Sequence, residues 1–220
     1  MMTPDESSRQ AASVCRLAPV IPVLVVDDAA DARPLAEALV TGGLPALEVT
    51  LRTASALEVI REMAQVEGGV VGAGTLLTPE DVQAAKEAGA LFGVSPGVTD
   101  RLLDAAAEAE LPMLPGVATA TEAMRLYERG HDVMKFFPAE VAGGAAGLKA
   151  LGGPLPGLSF CPTGGIGLHN AGDYLSLPNV LCVGGSWVAP KDAVAEGDWE
   201  RIHQLALDAS MLGNRGDDEG

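Results

Sequence analysis

Lysine is the residue type that first suggests chemistry, because the chain has only four: Lys86, Lys135, Lys149 and Lys191. Lys135 alone lies within an apolar, strand-like run, "VMKFF", whereas the other three lie in helix-like or loop-like segments. Desolvation of a buried lysine disfavours the charged ammonium form, so that a neutral amine becomes available to attack a carbonyl group. The sequence therefore indicates Lys135 as a nucleophile that forms an imine.

A second set of polar residues interrupts the run "LEVTLR" at 47–52. Strand alternation places Glu48, Thr50 and Arg52 on one face and the apolar residues on the other. We expect the apolar face to meet a layer of helices, and Glu48 and Arg52 to point into the interior. A charge inside a protein costs several kcal/mol unless it is paired. A structural ion pair inside the protein is thus the alternative for Glu48 and Arg52. For Lys135 the alternatives are neutralisation by Glu48 or a side chain that reaches the open end of the fold.

Glycine pairs follow the last two strand-like runs, in "CPTGGIG" and "CVGGSW". Backbone amides at glycine approach a ligand closely, and barrel enzymes frequently bind phosphate at these two strand ends. Weaker candidates are Thr75 in "GAGT" and Pro96 in "SPG". The candidates for phosphate binding are Thr163, Gly164, Gly165, Gly184, Gly185 and Ser186.

Strand-like and helix-like segments alternate along the chain and must position these residues. Threonines at 78, 99 and 119, each followed by acidic residues, have the pattern of helix N-caps, and Gly89 and Gly130 stand where helices should end. Eight strand–helix units in series predict an α/β fold, a (β/α)8 TIM barrel with an extra N-terminal helix. An open doubly wound sheet is the alternative, but "VVDD" at 25–28 is not its glycine-rich fingerprint. The predicted strands are 20–26, 46–51, 70–76, 91–95, 112–117, 133–137, 159–163 and 180–186.

Domain organisation follows from this repeat. We expect residues 1–220 to form one domain, with the barrel at about 20–190 and a helix on either side of it. Residues 213–220 are acidic and lack apolar side chains after the glycine, which predicts a disordered tail.

Charge and composition exclude several classes of protein. A net charge of −16 argues against binding to nucleic acid or to an anionic membrane, and every apolar run is too short to cross a bilayer. The three cysteines form no CxxC pair and the three histidines show no metal-binding spacing, so we expect reduced thiols and no metal. His131 is interpreted as a surface or helix residue. No signal peptide is recognisable, which favours the cytoplasm.

Six motifs in order carry a specific resemblance that runs from about residue 20 to residue 190. The chain resembles the 2-keto-3-deoxy-6-phosphogluconate (KDPG) aldolases, class I enzymes of the Entner–Doudoroff pathway. The motifs are "EVTLRT" at 48–53, "GAGT" at 72–75, "SPG" at 95–97, "MKFFPAE" at 134–140, "PTGGI" at 162–166 and "GGSW" at 184–187.

The resemblance implies a role for each candidate. Lys135 would form the Schiff base and Glu48 would be the acid and base, with Arg52, Thr75 and Pro96 around the keto-acid end of the substrate. The phosphate would be held by the residues of the two glycine loops, Thr163, Gly164, Gly165 and Ser186 by resemblance and Gly184 and Gly185 by their position. The resemblance further implies a homotrimer, no metal or organic cofactor, and a phosphorylated keto acid and pyruvate as partners.

Other functions remain compatible with the sequence. The same scaffold serves aldolases of 4-hydroxy-2-oxoglutarate (KHG) and of the galactonate epimer of the phosphorylated substrate. More distant alternatives are a non-aldolase barrel that binds a sugar phosphate and a catalytically silent binding scaffold. Glu140, at the end of "MKFFPAE", has three open interpretations: electrostatic support of the site, a loop contact, or an interface contact.

Overall fold

Parallel strands alternate with helices through the computed structural model, which describes residues 1–213. The predicted tail, apart from Gly213, lies outside the described residues. The strands are β1 (Val20–Leu24), β2 (Ala46–Thr50), β3 (Val70–Gly74), β4 (Phe92–Val94), β5 (Met113–Leu114), β6 (Gly116–Val117), β7 (Val133–Phe136), β8 (Ser159–Pro162) and β9 (Val183–Gly185). The helices are α1 (Pro4–Cys15), α2 (Ala32–Thr41), α3 (Ala56–Met63), α4 (Pro79–Glu87), α5 (Asp100–Glu108), α6 (Ala120–Glu128), α7 (Gly144–Gly152), α8 (Ala171–Leu175), α9 (Lys191–Glu196) and α10 (Trp199–Ser210), and a 3-10 turn covers Ala29–Asp31.

The sheet is curled and every paired strand within it is parallel. Six strands follow the order β5-β4-β3-β2-β1-β9, and three follow the order β6-β7-β8. Two isolated parallel bridges, Phe160 to Val180 and Thr163 to Gly184, join the segments of β8 and β9. The structure therefore has the predicted α/β class with a curled parallel sheet, and each predicted strand region contains a strand.

The fifth predicted strand is interrupted. Pro115 separates β5, which pairs with β4, from β6, which pairs with β7. Proline has no N–H to donate to a neighbouring strand. Its carbonyl still accepts from the amide of Lys135 at 2.9 Å. The expectation of one continuous strand over 112–117 is wrong for this reason.

Helix boundaries follow the predicted signals closely. Thr78, Thr99 and Thr119 each cap a helix, with the side-chain oxygen accepting from a backbone amide in the first turn. Gly89 and Gly130 follow α4 and α6 with φ of +99° and +88°, a conformation that favours glycine. These local signals place the ends of the helices and hence the lengths of the loops.

Two layers of apolar side chains lie on opposite faces of the sheet. Leu47 and Val49 of β2 are fully buried in the layer between sheet and helices, while Glu48 and Thr50 are buried on the opposite face, at 3% and 1% exposure. This confirms the predicted alternation of β2. Arg52 differs from the expectation, because β2 ends at Thr50 and the arginine is exposed beyond it.

Helix α1 covers the amino-terminal ends of several strands. Its Cys15 packs with Cys161 and Cys182 in the inner apolar layer, and all three are free thiols, as expected. The hydroxyl of Ser7 accepts from the amide of Met113, and that of Ser8 accepts from the amide of Val133. The helix is thus tied to the sheet by hydrogen bonds as well as by apolar contact.

His131 lies under the same end of the molecule and is 4% exposed, so its interpretation as a surface or helix residue is wrong. It follows α6 directly and turns inward after Gly130, where its amide donates to the carbonyl of Leu126 at 3.0 Å. No helix in the described part of the chain is long and apolar enough to span a membrane.

Candidate active site

A buried ion pair crosses the interior of the sheet. The Nζ of Lys135 on β7 lies 3.0 Å from Oε1 and 3.5 Å from Oε2 of Glu48 on β2. The two strands are not neighbours in either part of the sheet, so the contact spans the space that the curled sheet encloses. The side chains are 7% and 4% exposed, and within residues 1–213 this is the one side-chain hydrogen-bond partner of each. The strand-interior position predicted for Lys135 is confirmed, and its contact with Glu48 is the one that the ion-pair alternative describes.

Neighbouring residues give the pair its room and its orientation. A side chain at Gly74 would overlap Glu48, so the glycine of β3 leaves the space that the carboxylate occupies. The ring of Phe137 lies 5.5 Å from Nζ of Lys135, a distance at which an aromatic face attracts an ammonium group. The arrangement places an amine and a carboxylate within proton-transfer distance, shielded from bulk water.

A cavity of about 560 Å³ opens at the carboxyl ends of the strands. Phe137 lines this cavity and lies beside Lys135, whereas Lys135 and Glu48 are not themselves among its lining residues. Seven of the predicted site residues line it together: Arg52, Thr163, Gly164, Gly165, Gly184, Gly185 and Ser186.

Two cations face this cavity, and among the described residues no carboxylate lines it. Arg52 lies beyond β2 and Lys191 begins α9. Neither side chain has a carboxylate within salt-bridge distance in residues 1–213, although most other arginines of this acidic chain do. In a protein with a net charge of −16 the cavity is therefore a local region of positive charge, suited to an anion. Sequence reasoning missed Lys191; its signal was its place directly after the eighth strand and its loop.

The glycine loop after β8 presents amides to the cavity because its carbonyls are already engaged. The carbonyl of Gly164 accepts from the amide of Glu140 at 3.1 Å, and that of Gly165 accepts from Nδ2 of Asn170 at 3.1 Å. Within residues 1–213 the amides of Gly164, Gly165 and Ser186 donate to no protein acceptor outside the strand ladders. Unpaired amides grouped at strand ends form a site for phosphate or carboxylate oxygens.

Thr163 adds a hydroxyl to the same wall. Its side chain is buried, and its Oγ1 has no hydrogen-bond partner in the described residues. It stands against Gly184, where a Cβ would overlap it, which explains the need for glycine at this position of β9. Buried hydroxyls normally have a partner, so an unpaired one beside a cavity fits a ligand contact.

Thr75 and Pro96 follow β3 and β4, at the same edge of the sheet, but they do not line this cavity. Thr75 has a φ of +63°, which is rare for a β-branched residue and costs of order 1–3 kcal/mol. Strain of this kind is concentrated at functional sites. The structure thus brings both residues to the carboxyl end of the sheet. Thr75 follows the strand next to that of Glu48, and Pro96 follows the strand after it.

Comparisons with known proteins agree with this geometry. The sequence profile of the family described as "KDPG and KHG aldolase" matches residues 11–205. The chain is 48% identical to a 2-dehydro-3-deoxy-phosphogluconate aldolase of Pseudomonas aeruginosa, over 93% of this chain and 94% of the relative. It is 48% identical to the KHG/KDPG aldolase of Escherichia coli K12, over 90% and 94%.

A solved structure shows the same architecture. The KDPG aldolase of Legionella pneumophila, with pyruvate captured as a covalent carbinolamine, superposes with a TM-score of 0.88 at 45% identity, covering 90% of this chain and 97% of that one. The match of the profile over most of the chain, together with these identities, shows that the chain belongs to the KDPG and KHG aldolase family, whose members are lyases.

Proposed function

We propose that the protein is a class I aldolase that cleaves 2-dehydro-3-deoxy-6-phospho-D-gluconate into pyruvate and D-glyceraldehyde 3-phosphate. The observation that carries this proposal is the buried Lys135 amine, 3.0 Å from the Glu48 carboxylate and next to a cavity lined by cations and free amides. The names of the relatives support the same substrate.

The first step makes the imine. Glu48 takes a proton from Nζ of Lys135, and the neutral amine attacks the C2 ketone of the substrate to form a carbinolamine. Protonation of its hydroxyl group by Glu48 and loss of water leave a protonated imine. The covalent carbinolamine captured in the Legionella relative supports this order of events.

The second step breaks the C3–C4 bond. Glu48, through a water molecule, removes the proton of the C4 hydroxyl group, and the electrons of the C3–C4 bond move into the iminium. Glyceraldehyde 3-phosphate leaves, and an enamine of pyruvate stays on Lys135. Glu48 returns a proton to C3, and hydrolysis of the imine releases pyruvate. One carboxylate thus serves in both directions.

Binding is divided between the two ends of the substrate. Arg52 holds the carboxylate with two parallel hydrogen bonds, and Thr75 and Pro96 border the keto-acid end. The phosphate group lies against the two glycine loops, where Lys191 adds a charge from the rim. The residues of the loops are Thr163, Gly164, Gly165, Gly184, Gly185 and Ser186.

A second candidate substrate is 4-hydroxy-2-oxoglutarate, which the name of the Escherichia coli relative includes. The free amides and Lys191 favour a phosphorylated substrate, because a phosphate group offers them more oxygens and more negative charge than the second carboxylate of 4-hydroxy-2-oxoglutarate does. Cleavage rates with and without the phosphate decide between them. The galactonate epimer differs only in stereochemistry and is tested with the same assay.

The same proposal extends to the architecture. We propose one domain over residues 1–220 whose sheet closes into a (β/α)8 barrel; the bridges between the segments of β8 and β9 and the shared Pro115 link of β5 and β6 support closure. We also propose a cytoplasmic homotrimer that needs neither a metal nor an organic cofactor. Light scattering coupled to gel filtration tests the trimer, and activity in the presence of a chelator tests the metal independence.

Trapping with borohydride is the direct test of the mechanism. Incubation with pyruvate and borohydride, followed by peptide mass spectrometry, should place a reduced adduct on Lys135, and Lys135→Ala should abolish both the adduct and the cleavage measured by coupled pyruvate detection. A pure binding protein would instead retain its affinity for the substrate and show no cleavage in the unsubstituted chain.

A further inference from the structure

Glu140 connects three segments around the glycine loop after β8. Its amide donates to the carbonyl of Gly164, and its side chain fills the space that a side chain at Gly165 would need. A Cβ at Gly165 would lie 2.7 Å from Cγ of Glu140. Gly164 and Gly165 have φ of +103° and +77°, so the loop backbone is turned into a form that few other residues adopt. The contacts of Glu140 hold that form in place.

Tyr174 fixes the far end of the Glu140 side chain. The tyrosine lies on α8, is 1% exposed, and donates its hydroxyl hydrogen bond to Oε1 of Glu140. Burial, and then Glu140 itself, raises the pKa of the Tyr174 hydroxyl, which therefore remains a donor across the neutral pH range. The series of contacts that begins at the glycine loop thus runs through Glu140 and ends at the buried Tyr174 of α8.

Asn170 holds the loop from the other side. Its Nδ2 donates to the carbonyl of Gly165 at 3.1 Å, and its Oδ1 accepts from the amide of Gly167 at 2.8 Å. Both carbonyls of the glycine pair are consequently directed at protein donors. The N–H of a trans peptide points away from the carbonyl of the preceding residue, so these bonds turn the amides of Gly165 and Ile166 towards the cavity, which both residues line.

We propose that Glu140, Tyr174 and Asn170 form a loop brace that keeps the amides of Gly165 and Ile166 aimed into the cavity and thereby sets the affinity for the phosphate group of the substrate. The three are positioning residues and touch no reacting atom. The inference rests on the proposed function, in which the glycine loop after β8 binds the phosphate.

The carboxylate of Glu140 is an acid near an anion site, so its charge alone would weaken phosphate binding. The hydrogen bond from Tyr174 and the packing against Gly165 explain why an acid is nevertheless present there. Glu140→Gln keeps the acceptor oxygen and the packing carbons, whereas Glu140→Ala loses both. The two variants therefore separate the effect of charge from the effect of position.

Steady-state cleavage of the phosphorylated substrate tests the brace. Tyr174→Phe, Glu140→Ala and Asn170→Ala should each raise KM about tenfold, the effect expected from one lost hydrogen bond, with kcat unchanged. Inhibition by inorganic phosphate should weaken in parallel. Glu140→Gln should resemble the unsubstituted protein, and Tyr127→Phe, which changes an exposed tyrosine on α6, is the matched control.

Two further measurements isolate the phosphate end. Cleavage of 4-hydroxy-2-oxoglutarate and trapping of pyruvate on Lys135 should be the same in all of these variants, because neither involves a phosphate. An unchanged KM in Tyr174→Phe would overturn the brace, and so would a change in Glu140→Gln as large as that in Glu140→Ala. Failure of the unsubstituted protein to cleave the substrate or to form the adduct would instead overturn the proposed function.

Discussion

Removal of the Lys135 amine should destabilise the fold as well as abolish the chemistry. Lys135→Met keeps most of the length of the side chain but leaves the Glu48 carboxylate buried at 4% exposure without its partner at 3.0 Å. At an effective dielectric constant of about 20, Coulomb's law gives about 5 kcal/mol for the lost attraction. Breaking one half of a buried pair costs about 3–5 kcal/mol in practice. We therefore expect the free energy of unfolding to fall by that amount.

A double variant that removes both charges provides the second test of this prediction. Lys135→Met combined with Glu48→Gln removes both charges, so the double variant should recover at least about 2 kcal/mol relative to Lys135→Met. Glu48→Gln alone leaves the ammonium group unpaired and should also be less stable than the unsubstituted protein. Neither Lys135 variant can form the imine, whatever its stability.

Urea unfolding followed by circular dichroism, at one pH and one protomer concentration, measures all four proteins of the cycle. Borohydride trapping with pyruvate on the same samples reports the chemistry separately. The reasoning fails if Lys135→Met is as stable as the unsubstituted protein, or if the double variant is no more stable than Lys135→Met. Either result would mean that Glu48 is not held as a buried partner of the lysine.

Three other perturbations follow from the site and its surroundings. Lys191→Ala should raise KM for the phosphorylated substrate several-fold at low salt and less at high salt, because salt screens an exposed charge; Lys149→Ala, which changes an exposed lysine on α7, is its control in the same assay. Thr75→Gly should stabilise the fold by about 1 kcal/mol, since glycine adopts a φ of +63° without strain, while Thr99→Gly at a φ of −126° should give no gain in urea unfolding. Burial lowers the pKa of His131 below its usual value near 6.5, so its protonation opposes folding. The free energy of unfolding should therefore be full above pH 6.5 and should fall, by up to about 1.4 kcal/mol per pH unit, as the pH drops through and below that value. His131→Gln should flatten this acid side of the stability profile.

Patterns in the sequence predicted the features that depend only on residues close together in the chain. The threonine caps at 78, 99 and 119 and the alternation of β2 depend on residues a few positions apart, and the structure confirms them. Lys135 stands out in the sequence because burial of an unpaired charge in an apolar strand is costly. The pattern could not show that Arg52 would lie beyond the end of β2, because the last residue of a strand depends on how far its neighbours extend.

Contacts between distant segments were beyond such patterns. Tyr174 and Glu140 are 34 positions apart, and nothing in either motif indicates that a helix after β8 returns a tyrosine to the loop after β7. Pro115 was visible in the sequence, yet the break that it causes depends on which neighbour pairs with each half of the strand. The burial of His131 likewise depends on α1, which is more than a hundred residues away in the chain.

The position of α1 has a consequence for the order of events in the reaction. Because α1 covers the amino-terminal ends of several strands, we expect the substrate to enter and both products to leave through the cavity at the carboxyl ends. In the proposed mechanism pyruvate forms while bonded to Lys135, deeper than the phosphate loops, so glyceraldehyde 3-phosphate departs first and pyruvate last. Kinetics should accordingly show ordered release, with pyruvate a competitive inhibitor of cleavage and glyceraldehyde 3-phosphate a mixed one. The covalent bond to Lys135 fixes this order, and α1 leaves both products the same way out.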